Sequence, residues 1–148
     1  MIARESEAMA KREQEALARV PLFSGLSSRH LKRLADSMQE VRYMEGASVV
    51  KKGQEGDSFY VILQGEATVI GPGGTTVNRL QPGDFFGEIS LLDGGARTAT
   101  VTTETPMTML ELKRMEFMRM VEDEPDVAVK LLSHTASLLR RAERSLAG

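Results

Sequence analysis

The spacing of apolar and polar residues changes twice along the chain. Before about residue 40 and after Leu112, apolar residues recur at helical spacing, whereas the segment between is divided into short β-rich runs. Glycine-containing breaks separate these runs, and short, regularly spaced strands are typical of a β-barrel or sandwich. The predicted strands are Ser48–Lys51, Ser58–Gln64, Ala67–Ile70, Thr75–Leu80, Arg97–Thr103 and Met107–Leu112.

Helices are predicted on both sides of this β region, which spans about residues 41–112. Residues 1–19 form a charged, alanine-rich helix with too few apolar side chains for a core of its own, and Ser27–Ser28 cap a second, short helix. Residues 114–122 predict a short helix, and a longer one follows Pro125 and ends near residue 146. The chain is therefore divided into an N-terminal helix, 1–19, and one domain, 20–148, which ends in these two helices, about 114–146.

The last predicted helix carries Leu132, Leu139 and Leu146 at intervals of seven residues. This spacing suits a seam between two helices and predicts a homodimer through the C-terminal helix. The same leucines could instead pack on the barrel of their own chain, and the sequence leaves both alternatives open.

Composition narrows the class of protein. The 148 residues are 41% hydrophobic and 27% charged, which is typical of one globular domain, and the net charge of −2 offers no general attraction to nucleic acid or anionic membranes. The chain has no cysteine and no apolar stretch near 18 residues. We therefore expect a cytoplasmic protein with no disulfide, no thiolate metal site and no membrane association.

Residues for catalysis or metal binding are scarce. His30 and His134 are the two histidines, and both fall in predicted helices outside the β region, which excludes a histidine-rich metal site in the barrel. The chain has no G-x-S-x-G motif, and the Gly71–Gly74 run lacks the lysine of a phosphate-binding loop and is predicted to be a hairpin turn. We expect no enzyme activity, no metal and no cofactor.

One segment carries candidate chemistry of another kind. A turn at Pro82–Asp84 leads to Gly87, after which Glu88–Leu92 can form one or two helical turns with free backbone N–H groups. Gly94–Gly95 permits a reversal that brings Arg97 back towards these amides. A guanidinium opposite a helix N-terminus makes a site for a small anion such as a phosphate. A structural ion pair between Arg97 and Glu88 is the alternative.

The motif Phe86–Glu88 followed by Arg97–Val101 resembles the phosphate-binding cassette of the cyclic nucleotide-binding domain family. That family includes the catabolite activator protein, the regulatory subunits of cAMP-dependent protein kinase and cyclic nucleotide-gated channels. Pro21–Phe23, Leu31 and the glycine turns of the β region extend the resemblance over most of the chain. It implies an α+β fold in which helices flank an eight-stranded antiparallel, jelly-roll-like barrel.

The resemblance also implies a ligand, cAMP or cGMP, and a set of contacts. Glu88 would accept a hydrogen bond from the ribose 2′-hydroxyl, Arg97 would pair with the cyclic phosphate, and the amides around Gly87, Ile89 and Ala99 would complete the cradle. Thr98 permits cGMP, because its hydroxyl can reach the guanine amino group, but does not require it. The predicted ligand-binding residues are Phe86, Gly87, Glu88, Ile89, Ser90, Arg97, Thr98 and Ala99.

The candidates for the base-capping residue lie on the last predicted helix. Ala142 and Glu143 stand where the resemblance places a hydroxyl-bearing pair, so Thr135, Arg140 and Arg141 are the candidate caps. The two arginines could equally be a solvated helix end that the helix dipole favours.

The predicted function is a non-enzymatic sensor of cAMP, cGMP or both, which signals to an unknown effector protein by moving its C-terminal helices. In the family that the chain resembles, the two C-terminal helices, here about 114–146, act as a hinge and a lid. The alternative function is a protein-interaction module on the same fold that docks a partner through the N-terminal helix and this C-terminal lid. We expect no nucleic-acid binding by this chain alone, because DNA-binding relatives carry a helix-turn-helix segment beyond the long helix.

Overall fold

A computed structural model of the chain describes residues 11–147 and divides them into two units. The helical unit comprises the residues up to Asp36 and those from Met118 onward, and the β unit comprises Ser37–Phe117. Of the predicted N-terminal helix, residues 11–18 are helical and are named α1. The first ten residues of that prediction lie outside the described residues.

The β unit consists of two four-stranded antiparallel sheets, with strand orders β1-β8-β3-β6 and β2-β7-β4-β5. The eight strands and the flanking helices confirm the predicted α+β fold. The strands are β1 (Gln39–Tyr43), β2 (Ser48–Val50), β3 (Ser58–Gln64), β4 (Ala67–Ile70), β5 (Thr76–Leu80), β6 (Phe85–Phe86), β7 (Thr100–Thr103) and β8 (Met107–Lys113). A short helix, α3 (Glu88–Asp93), follows β6.

Two strands have no counterpart among the predicted runs. β1 is mostly polar, so its composition did not indicate a strand. It is recognised as a strand by its antiparallel pairing with β8 from Gln39 to Tyr43. β6 is two residues long and exists through its pairing with β3, where Phe86 lies opposite Tyr60. Such a short strand is set by its partner and carries no periodicity of its own.

Side chains from both sheets form the core of the β unit. Its buried members are Val50, Tyr60, Ile62, Ala67, Leu80, Phe86, Val101, Met107 and Met109. Within it, the rings of Tyr60 and Phe86 stack with their centroids 4.9 Å apart, and the Tyr60 hydroxyl donates to Glu111 Oε2 at 2.9 Å. Burial, followed by this bond to Glu111, raises the pKa of Tyr60 above that of a free phenol.

The helical unit contains α2 (Ser28–Asp36), the C-terminal part of α4 (Arg114–Asp123) and α5 (Pro125–Ala147). The Ser27 hydroxyl accepts a hydrogen bond from the His30 N–H at 3.3 Å, which confirms the predicted cap of α2. α5 begins at Pro125, as expected for proline at the first position of a helix.

Charged side chains join α2 to the start of α5. Arg29 and Arg33 each lie about 3 Å from the Glu124 carboxylate, at 3.0 and 3.1 Å, and Arg33 also pairs with Asp123. His30 is buried, with its ring 3.1 Å from the Ser27 hydroxyl and 3.4 Å from Glu124. The other histidine, His134, lies on α5, so both histidines are on helices, as predicted.

The heptad leucines of α5 lie on its exposed face. Val127 and Leu131 are 0% and 6% exposed and supply the buried face of the helix. Leu132, Leu139 and Leu146 are 71%, 61% and 90% exposed in the single chain. The stripe is thus an unpartnered apolar row, which is the arrangement that a second helix could cover.

Among residues 11–147, no helix combines the length and the apolarity needed to cross a membrane.

Candidate functional site

The helix α3 begins at a glycine in the left-handed region. Gly87 has φ +94°, a conformation that side chains with a Cβ rarely adopt, and it turns the chain directly from β6 into α3. The Leu91 N–H donates to the Gly87 carbonyl at 3.1 Å. The amides of Glu88, Ile89 and Ser90 therefore precede the first intrahelical bond and are available to an acceptor.

A second glycine ends α3 and returns the chain towards these amides. Gly94 has φ +68°, and its N–H donates to the Ser90 carbonyl at 2.8 Å. Three residues later, the Arg97 N–H donates to the Gln54 carbonyl at 2.7 Å, and the Gly53 N–H donates to the Arg97 carbonyl at 2.9 Å. These two bonds fix the backbone of Arg97.

The prediction of a strand over Arg97–Thr103 is correct only for its second half, because β7 spans Thr100–Thr103. Arg97 bonds to the 53–54 turn instead of extending a ladder with β4, and residues 98–99 bend before the strand begins. The predicted strand starts too early because the backbone of Arg97 is hydrogen-bonded to a neighbouring turn, so the regular strand begins only after it.

The Arg97 side chain is buried in the β unit. It is 7% exposed, its Nη1 has no hydrogen-bond partner among the described residues, and no carboxylate of residues 11–147 forms an ion pair with it. The alternative in which Glu88 neutralises Arg97 is therefore not formed. A buried guanidinium without a counter-charge is costly, so this arrangement suits a site that takes an anion.

Two glycines make room for this guanidinium. A Cβ on Gly56 would lie 2.5 Å from Arg97 Nε and 2.5 Å from Ser90 Oγ, and a Cβ on Gly87 would lie 2.8 Å from Arg97 Nη1. The Ser90 hydroxyl donates to the Gly95 carbonyl at 3.2 Å, which fixes the other side of the space. Gly56 serves here through its small size, since its φ is not among the positive values.

Arg97 and the start of α3 face a cleft of about 210 Å³ in the β unit. All eight predicted ligand-binding residues line it. The lining also includes six residues that were not among the predicted ligand-binding residues: Val50, Val69, Asn78, Leu80, Phe85 and Val101. Val101 belongs to the cassette motif, and the alternation of the predicted strands is the signal that could have indicated most of the others.

The candidate base caps Thr135, Arg140 and Arg141 lie on α5 in the helical unit, where Thr135 is half-buried and the two arginines are exposed. The role of these residues stays a prediction. Across the described range, His, Asp and Glu side chains form no cluster of three or more that could hold a metal ion.

The sequence matches a model of the cyclic nucleotide-binding domain over residues 40–124, from β1 to the end of α4. The chain is 31% identical over 137 residues to a CRP-like cAMP-activated global transcriptional regulator of Mycobacterium tuberculosis, which covers 90% of the chain and 61% of the regulator. It is 34% identical over 109 residues to a cAMP-dependent protein kinase regulatory subunit of Colletotrichum orbiculare, covering 73% of the chain and 28% of the subunit. The chain thus spans less than two thirds of the length of these relatives.

Two solved structures of regulatory proteins also superpose on this chain. The N-terminal domain of a transcriptional regulator from Streptomyces coelicolor A3(2) superposes with a TM-score of 0.77 at 32% identity, covering 88% of this chain and 93% of that domain. The regulatory domain of Toxoplasma gondii PKA, in a co-crystal with cAMP, superposes with a TM-score of 0.68 at 28% identity, covering 90% of this chain and 52% of that one.

Proposed function

Because this chain belongs to the cyclic nucleotide-binding domain family, we propose that it is a non-enzymatic sensor that binds cAMP, cGMP or both in the cleft of its β unit. The observation that carries the proposal is the buried guanidinium of Arg97, whose Nη1 has no hydrogen-bond partner among residues 11–147, beside the amides at the start of α3. A cyclic phosphate has one negative charge and two exocyclic oxygens, one equatorial and one axial. It would therefore supply a counter-charge for the Arg97 guanidinium and hydrogen-bond acceptors for the α3 amides.

The other predicted contacts follow from the position of each residue around the cleft. Glu88 is half-buried at the first position of α3, where its carboxylate would accept a hydrogen bond from the ribose 2′-hydroxyl and so favour ribonucleotides. The amides around Gly87, Ile89 and Ala99 would complete the cradle around the phosphate. Thr98 directly follows the buried arginine and is exposed at the cleft, where its hydroxyl would face the base.

The relatives support cAMP as one ligand. The mycobacterial regulator is named as cAMP-activated, and the Toxoplasma domain was crystallised with cAMP. Support for cGMP comes from this chain's own Thr98.

Calorimetric titration of the full chain with cAMP and with cGMP tests the proposal. We expect dissociation constants in the micromolar range or tighter for at least one nucleotide, in protein shown to be folded and free of co-purified ligand. The absence of heat with both nucleotides would contradict the sensor and favour the protein-interaction module.

We further propose that ligand binding is transmitted to an effector protein through α4 and α5. Within the β unit, Arg114 Nη2 donates to the Leu92 carbonyl at 3.3 Å, and the Arg114 N–H donates to the Asp57 carbonyl. The first residue of α4 is thus bonded to the last turn of α3, so a displacement of α3 around a phosphate would act on α4. In the bound state, α5 would lie over the base as a lid, with Thr135, Arg140 or Arg141 as the cap.

Hydrogen exchange followed by mass spectrometry checks this coupling. Saturating nucleotide is expected to change exchange in residues 114–123 and 125–147 as well as in 86–99. At a nucleotide concentration just sufficient to saturate the parent, both changes should be smaller in the Arg97→Ala variant, in proportion to its lower occupancy. A change confined to 86–99 would mean that the ligand does not act on the C-terminal helices.

We also propose a homodimer through the exposed leucines of α5. Sedimentation equilibrium is expected to give twice the chain mass of 16.3 kDa, and Leu139→Lys should return it to the monomer because a lysine at the seam leaves a charge without a partner. Ser137→Lys is the matched control, since this exposed residue lies on the opposite side of the helix. A monomeric parent, or a Leu139→Lys variant that remains dimeric, would contradict the seam.

A further inference from the structure

The position of the first cassette residues depends on the strand beside them. Phe86 is the last residue of the two-residue strand β6 and lies opposite Tyr60 of β3, and Gly87 follows directly. A Cβ on Gly87 would lie 2.7 Å from the Ser58 carbonyl oxygen and 3.4 Å from Phe59 Cα. The N-terminal end of α3 thus lies directly against β3, and Phe86 connects the two.

Tyr60 contacts Phe86 through its ring. The two rings stack with their centroids 4.9 Å apart and their planes at 19°, and the two residues are 5% and 8% exposed. Phe86 lines the cleft, and Tyr60 lies behind it in the core of the β unit. Tyr60 can therefore act on a bound molecule only by way of Phe86, whose position its ring restricts.

The other end of the Tyr60 side chain is held by a charged group of β8. Tyr60 and Glu111 lie opposite each other in the strand register, and the Tyr60 hydroxyl donates to Glu111 Oε2 at 2.9 Å. The Tyr43 side chain is a further polar neighbour of this hydroxyl. A hydrogen bond to a carboxylate is stronger than one between neutral groups, so it holds the Tyr60 ring in one orientation against Phe86.

We propose that Tyr60 is a positioning residue of the nucleotide site, whose ring fixes Phe86 and with it the α3 amides relative to Arg97. This inference rests on the proposed function. The Arg97 backbone is held separately, by its two hydrogen bonds to the 53–54 turn, so a shift of Phe86 would move one side of the cradle and not the other. Hydrogen bonds to a phosphate between the two sides would then lengthen and weaken.

Two substitutions of Tyr60 separate the ring from the hydroxyl. Tyr60→Leu removes both and should weaken the binding of cAMP and cGMP to the full chain roughly three- to tenfold, which corresponds to the loss of one hydrogen bond. Tyr60→Phe keeps the stack and loses only the bond to Glu111, so its affinity should fall between those of the parent and Tyr60→Leu. Calorimetric titration measures each affinity.

Two substitutions of Glu111 test whether the hydroxyl acts through this bond. Glu111→Gln keeps an oxygen that can accept it and should bind nucleotide as the parent does, whereas Glu111→Leu removes the acceptor and should match Tyr60→Phe. In the Tyr60→Phe background, Glu111→Leu should cause no further loss of affinity, because the bond that it removes is already absent. A contact that only stabilises the fold would produce none of these changes in affinity.

Met109→Ala is the matched control for stability. Met109 is 0% exposed in the same core, and its partners in the strand register are Val41 and Ile62, which lie outside the cassette. The variant leaves a cavity and should lower the urea midpoint. Its nucleotide affinity, measured where circular dichroism shows the variant to be folded, should equal that of the parent.

The outcomes separate the inference from the proposed function. A Tyr60→Leu variant that binds as tightly as the parent overturns the inference, and so does an equal loss of affinity in Met109→Ala, because affinity would then follow the stability of the core. If Tyr60→Leu does not fold, parental affinity in both Tyr60→Phe and Glu111→Leu overturns it. In each case the parent still binds nucleotide and the proposed function stands, whereas a parent that binds neither cAMP nor cGMP overturns both.

Discussion

Arg97→Ala is expected to weaken cyclic nucleotide binding by roughly 10- to 150-fold, which is the loss of a charge-assisted hydrogen bond worth about 1.5–3 kcal/mol. The guanidinium is the buried cation among the residues that line the cleft, so nothing else on its walls can neutralise the phosphate. Calorimetric titration with cAMP and cGMP measures the loss directly. Arg97→Lys should fall between the parent and the alanine variant, because lysine keeps the charge but not the planar pair of donors.

In the absence of ligand, Arg97→Ala is expected to leave the stability of the domain unchanged or to raise it. Without ligand, Arg97 holds a buried charge whose Nη1 has no partner, which disfavours the folded state. Arg97→Ala should therefore unfold in urea at a midpoint equal to or above that of the parent, while the stabilisation that a fixed concentration of nucleotide gives should be smaller than in the parent. A structural arginine would show the reverse, since its removal would lower the midpoint without ligand.

Arg42→Ala is the matched control for the charge. Arg42 lies on β1 in the same unit, and its side chain is 79% exposed beside Glu40. This variant loses one positive charge without touching the cleft, so its nucleotide affinity and its unfolding midpoint should both remain close to those of the parent. If Arg97→Ala bound nucleotide as well as Arg42→Ala does, the assignment of the phosphate cradle would be wrong.

The sequence predicted well the strands and helices that glycine or proline delimits. β3 and β4 have their predicted ends between Gly56, Gly65 and Gly71, and α4 and α5, which meet at Pro125, differ from prediction by about one residue. β1 and β6 were missed for a different reason. The two residues of β6 are a strand only because β3 lies beside them, and such pairing depends on the tertiary structure.

The cassette could be located from its residues alone. The sequence could not show why Arg97 Nη1 has no hydrogen-bond partner among the described residues. Gly94 has a positive φ, in agreement with the reversal predicted at Gly94–Gly95, whereas the positive φ of Gly87 was not predicted. Gly56 is different: its sequence context indicates a turn, whereas the structure shows that it leaves space beside the Arg97 guanidinium and Ser90. Asn78 had no motif to indicate it, since it becomes part of the cleft only when β5 and β4 pair.

The second large effect is expected at Gly87. Two costs act on Gly87→Ala: the left-handed φ of +94°, and a Cβ that would lie 2.7 Å from the Ser58 carbonyl and 2.8 Å from Arg97 Nη1. The backbone carbonyl cannot yield as a flexible side chain would, so the start of α3 and the guanidinium must move apart. We expect nucleotide affinity to fall by at least about tenfold and the free energy of unfolding by about 2–4 kcal/mol, the sum of backbone strain and overpacking.

Gly83→Ala separates these two costs, because Gly83 has the same φ of +94° but nothing within 4 Å of the position of a Cβ. It should lose only the backbone cost of about 1–2 kcal/mol and bind nucleotide as the parent does. Urea unfolding and calorimetric titration of the two variants side by side give the comparison. Equal losses of stability and unchanged binding in both would mean that the contact of Gly87 with Ser58 and Arg97 does not shape the site. A larger loss at Gly87, with binding lost only there, would show that the absence of one methyl group is what lets the amides of α3 and the Arg97 guanidinium face the same anion.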